Sequence, residues 1–254
     1  MDTIQDLQPA QKGETVMDKN VTFYFAPHQD DELTNLGAGI VRQLSAGDDV
    51  YVVLCTDGGA SSVKRMLIDG GGCRWHGGCH HYPLDAAAFT AARDREYRES
   101  CRRMGVPADR VLISPLRSPD GGLSVEQAAK IILDALDRFC PDGRVATILP
   151  VYRCHQNPDH TAIGEAALQL HRQGRIPAPA LFFEQLLCVK TPEGTGLERL
   201  DPTPEERARL LDAAAAYRIW SPETGFYAVG YHSVADEFDA FCSAPYGLLK
   251  YGDR

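Results

Sequence analysis

Several familiar signals are missing from this sequence, and each absence narrows the reading. No apolar run approaches the roughly eighteen residues that a membrane helix needs, so no membrane partner is expected. The opening stretch MDTIQDLQPAQKGETVMDKN has neither the basic start nor the apolar middle of a secretory signal. Residues 1–20 therefore read as a loosely ordered lead-in, and the chain is expected to be cytoplasmic. Basic residues are not clustered: the net charge is −9, and Asp94, Glu96 and Glu99 interrupt the richest basic run, Arg93 to Arg103. That run reads as an ion-paired helix face, which argues against a nucleic-acid partner. The eight cysteines form no CxxC pair, which disfavours a structural zinc site of the usual spacing. No G-x-G-x-x-G follows the first strand, no P-loop occurs, and no repeat or low-complexity segment is found.

The residues that are present describe a globular α/β chain. An apolar content of 44% supports a core, and residues 21–254 read as one domain. Short β-rich runs at Val21–Ala26, Val50–Cys55, Val111–Ser114, Val145–Pro150 and Leu181–Leu187 alternate with helical patterns. Of these, one runs from about Glu32 to Ala46. Ser124–Phe139 is the clearest, with Ile132, Leu136 and Phe139 on one stripe, Ser124 as N-cap and Gln127 completing a capping box. Strands spaced by such helices predict βαβ units and a mainly parallel sheet, here a Rossmann-like three-layer fold. The tail from about residue 219 reads as irregular. Gly58–Asp85 is a long glycine-rich connection suited to a lid. Cys55, Cys101, Cys140 and Cys188 read as small core residues. In the lid, Cys73 and Cys79 lie where a disulfide is open to them, and His76, His80 and His81 read as solvent-exposed loop residues ahead of a second metal site.

Open parallel sheets bind ligands at the carboxyl ends of their strands, so the residues following each strand come first. After the first strand stands His28-Gln29-Asp30-Asp31-Glu32. An imidazole and a carboxylate three positions apart can hold one divalent ion from a single turn, with Asp30 left to reach a metal-bound water. His155-Gln156-Asn157-Pro158-Asp159-His160 follows a later strand and leads into a helix. His28, Asp31 and His160 together supply the three protein ligands of a catalytic zinc, one ion per chain. Such a His/His/Asp set also accepts iron or cobalt.

HQDDE with a downstream NPDH resembles the LmbE-like, or PIG-L-type, deacetylases, whose usual forms are HPDDE and HPDH. The resemblance extends from Val21 to about Gly174. Thr56-Asp57-Gly58, the R-x-x-E of Arg93-Asp94-Arg95-Glu96, Met104-Gly105-Val106 and Pro119-Asp120-Gly121 with Leu123 match further family segments in the same order. The resemblance implies His28, Asp31 and His160 as zinc ligands, Asp30 as general base, and Arg93 and Asp120 beside the substrate sugar. Two positions depart from the pattern. Gln29 replaces a proline, which loosens the turn. Asn157 replaces a histidine, and an amide can donate to an oxyanion but cannot serve as an acid. His155 can take up that oxyanion-stabilising place or simply line the cleft. Trp75 offers an aromatic face to a sugar. His232, in a segment similar to a C-terminal one of the family, can approach the site or pack the tail.

The expected activity is zinc-dependent removal of an N-acyl group, acetyl first, from an amino sugar. A soluble glycoconjugate, such as a glycosylated antibiotic or a thiol precursor of secondary metabolism, is the expected substrate. Two alternatives stay open. One is a zinc amidase acting on a thiol conjugate; the other is a non-catalytic sugar-binding protein of the same fold, against which Asp30 speaks. Homo-oligomerisation is left open.

Overall fold

A computed structural model of the chain describes residues 20–73, 75–140, 146–151, 157–183 and 196–251. In chain order the elements are β1 Val21–Ala26, α1 Asp31–Thr34, α2 Gly37–Ala46, β2 Asp49–Thr56, α3 Val63–Ile68, α4 Ala86–Met104, β3 Val111–Ser118, α5 Val125–Phe139 and β4 Ala146–Pro150. They continue with α6 Pro158–Arg172, β5 Ala180–Phe183, β6 Glu198–Leu200, α7 Pro204–Ala216, β7 Trp220–Ser221, β8 Phe226–Tyr227, α8 Val229–Ser233, α9 Ala235–Ser243 and β9 Gly247–Tyr251.

The central sheet has the order β3-β2-β1-β4, with every pairing parallel. β1 is buried on both faces, and its alternation assigns the two cores. Val21, Phe23 and Phe25 pack with Ile131 and Ile132 of α5 and Ile163 of α6. Tyr24 and Ala26 pack with Leu33, Ile40, Tyr97 and Leu210 from α1, α2, α4 and α7 on the other side. The result is the expected three-layer α/β arrangement. Truncating a fully buried residue such as Ile148 should cost about 2–5 kcal/mol.

The helical pattern from Glu32 to Ala46 splits into two pieces around Asn35 and Leu36. Asn35 donates from Nδ2 to Asp31 Oδ1 at 2.8 Å, which ends the first turn. Gly37 and Gly39 then bring α2 against its neighbours: a Cβ at Gly39 would fall 2.8 Å from the Phe182 ring and 2.9 Å from the Tyr24 hydroxyl. Ser124 caps α5 by accepting from Gln127 N at 3.1 Å, but the Gln127 side chain donates to Leu116 O, so the capping box is half made. The last strand expected from the sequence survives as β5, which pairs antiparallel with β9 in a small second sheet and touches the end of β4 through Val151 and Phe182. Its continuation through Leu187, with Cys188, lies outside the described residues. The C-terminal portion is built of short mixed elements, including α8 and α9.

Cys73 and Cys79 are free thiols, so the disulfide open to them is not formed. The segment they occupy carries α3 and then a tight hairpin, closed by the Gly72–Cys79 bridge and by hydrogen bonds between Cys73 and Gly77–Gly78.

Glu96, in the middle of α4, is fully buried and accepts from Val229 N at 2.8 Å and Gly230 N at 3.0 Å, fixing the start of α8. Burial pushes its carboxyl up to about 7, against those two N–H groups and Arg93. Because its ordinary value is 4.5, the stability Glu96 contributes is fully present below pH 4.5 and is lost as pH rises through about 7. That span corresponds to about 3 kcal/mol. Urea unfolding from pH 4.5 to 7 should show the wild type losing about that much relative to Glu96→Gln. Parallel curves for the two proteins would mean that Glu96 does not titrate in this window.

Candidate metal centre and active site

The loop after β1 carries the first part of the site. Asp30 stands at the N-cap of α1 with φ 123° and ψ −32°, a conformation that costs a residue with a Cβ about 1–3 kcal/mol. Its neighbours enforce it. Asp30 N donates to Glu32 Oε2 at 3.0 Å, and Glu32 Oε1 accepts from Tyr217 Oη at 2.6 Å. The guanidinium of buried Arg93 donates to Gln29 O and Gly58 O, each at 2.8 Å, and reaches Asp30 Oδ2 at 3.3 Å. Arg93 thus clamps the loops after β1 and β2 together and gives Asp30 its counter-charge. Burial pushes the Asp30 carboxyl well up, with Arg93 opposing and Asp31 adding to the rise.

The turn turns strain to use by bringing three ligand atoms into one small triangle. His28 Nδ1 lies 3.2 Å from Asp31 Oδ2 and 3.2 Å from His160 Nε2, and His160 Nε2 lies 3.2 Å from Asp31 Oδ2. Ligand atoms about 2.0–2.1 Å from a tetrahedral ion are spaced about 3.3–3.4 Å apart. All three residues are buried. The donor set and its spacing therefore fit one divalent ion. The carboxylates around it dominate the electrostatics. Asp31 is held well below the usual range by His160 and His28 in spite of burial, and His28 is held well above its own by Asp120, Asp159 and Asp31, again against burial.

Asp159 is the residue that sequence reasoning passed over. It is fully buried at the start of α6 and takes the far nitrogen of His28, with Nε2 at 3.0 Å from Oδ2. It also accepts from Gly121 N at 2.7 Å and Leu123 N at 3.0 Å. With its oxygens committed to these donors, Asp159 acts as an orienting partner of His28. Its hydrogen bond makes Nε2 the protonated nitrogen and leaves the Nδ1 lone pair for the triangle. Its place between Pro158 and His160 in the NPDH motif was the available signal.

The remaining residues of interest take these positions. Asp120 accepts from Ala60 N at 3.0 Å and stands 3.2 Å from His28 Nε2 and 4.0 Å from Arg93 Nη1. Asn157 is the N-cap of α6, its Oδ1 accepting from Asp159 N at 3.0 Å, which commits the carbonyl side of its amide. Together with Asp30, Arg93, Asp120 and the triangle, Asn157 lines a cavity of about 190 Å³, closed on another side by Ser233 and Val234. A larger hollow of about 650 Å³ shares Ala60 and Asp120 with it and extends past Asp57, Thr90 and Arg117. His155 lies outside the described residues. Trp75 and His232 are brought together elsewhere, in an aromatic cluster with His76, His80 and Trp220, while His81 packs on Gly70. Gln29 does more than relax the turn. It is fully buried and donates from Nε2 to Asp94 Oδ1 at 2.8 Å, and Asp94 in turn receives Arg117.

If Asp159 sets the His28 tautomer, Asp159→Asn should weaken zinc binding by about 10–100-fold while leaving the fold intact. Competition against a chromophoric chelator measures this, with far-UV circular dichroism as the fold control. An unchanged affinity would remove Asp159 from the account.

The GlcNAc-PI de-N-acetylase (PIG-L) family model matches residues 23–171. Among solved structures, a triple mutant of a deacetylase of the teicoplanin biosynthetic pathway aligns at 20% identity with a TM-score of 0.60, covering 92% of this chain and 99% of that one. The A40926 pseudoaglycone deacetylase aligns at 18% identity and TM-score 0.57, covering 92% and 97%. The N,N'-diacetylchitobiose deacetylase of Pyrococcus horikoshii aligns at 15% identity and TM-score 0.54, covering 92% and 84%. At these identities the likeness is one of fold. A comparison with curated proteins found no match. No described helix is long and apolar enough to cross a membrane. The family match spans more than half of the 254 residues and contains both halves of the metal-fitting triangle, and the chain belongs to the GlcNAc-PI de-N-acetylase (PIG-L) family.

Proposed function

We propose that this chain is a zinc-dependent N-deacetylase that removes an acyl group, acetyl first, from an amino sugar carried on a soluble glycoconjugate. The observation that carries the reading is the triangle of His28, Asp31 and His160 with the Asp30 carboxylate beside it, all lining one cavity. Pure binding has no need of a carboxylate held in a strained backbone conformation next to three ligand atoms, and strain of this kind collects at sites of chemistry. The proteins of similar fold named above are deacetylases by their names, and one of them, the N,N'-diacetylchitobiose deacetylase, acts by its name on an N-acetylated sugar. That supports the same substrate class here.

When bound, the ion lowers the pKa of a water toward neutrality and polarises the amide oxygen. The protein's own groups do the rest. Asp30 accepts the proton of the attacking water and returns it to the leaving amine nitrogen. Arg93, 3.3 Å away, holds the carboxylate in place and balances its charge. Asn157, with its carbonyl side capping α6, offers its amide N–H groups to the carbonyl oxygen as that oxygen gains charge. Arg93 and Asp120 edge the cavity where sugar hydroxyls would lie. The cavity of about 190 Å³ holds the reacting end of the substrate, and the adjoining hollow of about 650 Å³, which shares Ala60 and Asp120 with it, gives the rest of a glycoconjugate somewhere to lie.

Amine release from N-acetylglucosamine glycosides by purified protein should be abolished by a chelator and restored by zinc. Asp30→Asn should lower kcat/KM by about 10²–10⁴-fold without loss of the metal, since asparagine tolerates positive φ and lacks only the basicity. A variant that keeps full activity would exclude Asp30 as the base.

A further inference from the structure

A second set of metal-ligating side chains lies apart from the cavity, where the glycine-rich segment meets α8. Cys73 is buried, at 3% exposure, yet its sulfur faces three polar groups. His76 Nδ1 is 3.4 Å from Sγ, His232 Nε2 is 3.5 Å from it, and His76 N donates to it at 3.4 Å. His80 brings a ligand atom within 4.8 Å of those of Cys73 and His76. Its Nε2 is buried and has no hydrogen-bond partner among the described residues.

Two of these distances, from Cys73 Sγ to His76 Nδ1 and to His232 Nε2, match the chemistry of a tetrahedral ion, and His80 stands within 4.8 Å of Cys73 and His76. A zinc–sulfur bond of about 2.3 Å and a zinc–nitrogen bond of about 2.0–2.1 Å put the two ligand atoms about 3.5 Å apart. The orientation of His232 points the same way. Its Nδ1 donates to Ala228 O at 2.6 Å, so Nε2 carries the lone pair and directs it at Cys73 Sγ. This is the arrangement by which a ligating histidine is usually fixed. The hairpin that carries His76 needs its glycines, with Gly77 at φ 67° and Gly78 at φ 93°. The Trp220 ring packs against the rings of His76 and His80, with centroids 4.0 Å and 4.7 Å apart, while His76 stays exposed at the edge of the group.

We infer that Cys73, His76, His80 and His232 form a second, structural site for zinc or a metal of similar softness. Its ligands come from two segments 159 residues apart in sequence, Cys73 and His232. The ion would staple the hairpin of the glycine-rich segment to α8. Ser233, the next residue, lines the catalytic cavity and lies 3.4 Å from Ser61 across it, so the staple would set one wall of that cavity. A four-ligand set leaves no open coordination position, which fits a structural role and not a catalytic one.

Cobalt(II) loading of the full chain tests this independently of the deacetylase reading. The wild type should bind two ions per chain and show a near-ultraviolet thiolate-to-cobalt charge-transfer band. Cys73→Ser should bind one ion and lose the band. His232→Gln, a second variant in case Cys73→Ser does not fold, should also bind one. His160→Gln should bind one ion and keep the band, because it strikes only the catalytic triangle. A wild type without the band, or a band that persists in Cys73→Ser, overturns the inference.

Discussion

The hydrogen bond from His28 Nε2 to Asp159, 3.0 Å long and buried, decides how the rest of the site works. An imidazole has one lone pair to give, and whichever nitrogen carries the proton cannot ligate. By accepting the hydrogen bond of Nε2–H, Asp159 leaves Nδ1 facing Asp31 and His160. Asp159 can do this because it opens α6, where Asn157 caps the helix and the N–H groups of Gly121 and Leu123 meet its oxygens. The parallel sheet makes the meeting happen. β1 and β4 are neighbours, so the turn after β1 and the helix that follows β4 arrive at the same edge.

A second constraint acts on Asp30. Its backbone holds a positive φ that the fold maintains through Glu32 and Arg93. Glu32 is itself anchored by Tyr217 of the distant α7 region, and Arg93 by carbonyls from the turns after β1 and β2. The carboxylate beside the triangle is thus placed by groups drawn from four separate parts of the chain. Such placement is costly to maintain and gives a preorganised site, which is where electrostatic catalysis gains most.

How far the sequence revealed this differs from residue to residue. His28, Asp31 and His160 stood out because each follows a strand, and the strand-end rule turns sequence position into spatial position. The parallel sheet was legible from alternating β-rich and helical runs. The break in the first helix was not, since Leu33, Ile40 and Leu44 keep helical spacing across it, and the Asn35–Asp31 hydrogen bond at the break and the close approach of Gly37 and Gly39 to neighbouring side chains appear only in three dimensions. The bonds that Asp159, Gln29 and Glu96 make were not legible, even where Gln29 and Glu96 stood in matched motifs, because their partners lie far away in sequence. The Cys73 cluster was hidden for the same reason. Loop histidines beside glycines read as exposed until the C-terminal His232 is seen to complete the set.

On the proposed reading, the Nδ1 face of His28 and not its Nε2 face holds the ion. A second group, His28 with Asp120 and Asp159, has ligand atoms close enough to compete. Diffraction from zinc-soaked crystals, with anomalous data at the zinc edge, separates the two faces directly. The expected peak is bounded by His28 Nδ1, Asp31 Oδ2 and His160 Nε2. A peak on the opposite side of the ring, among His28 Nε2, Asp120 and Asp159, would contradict that reading.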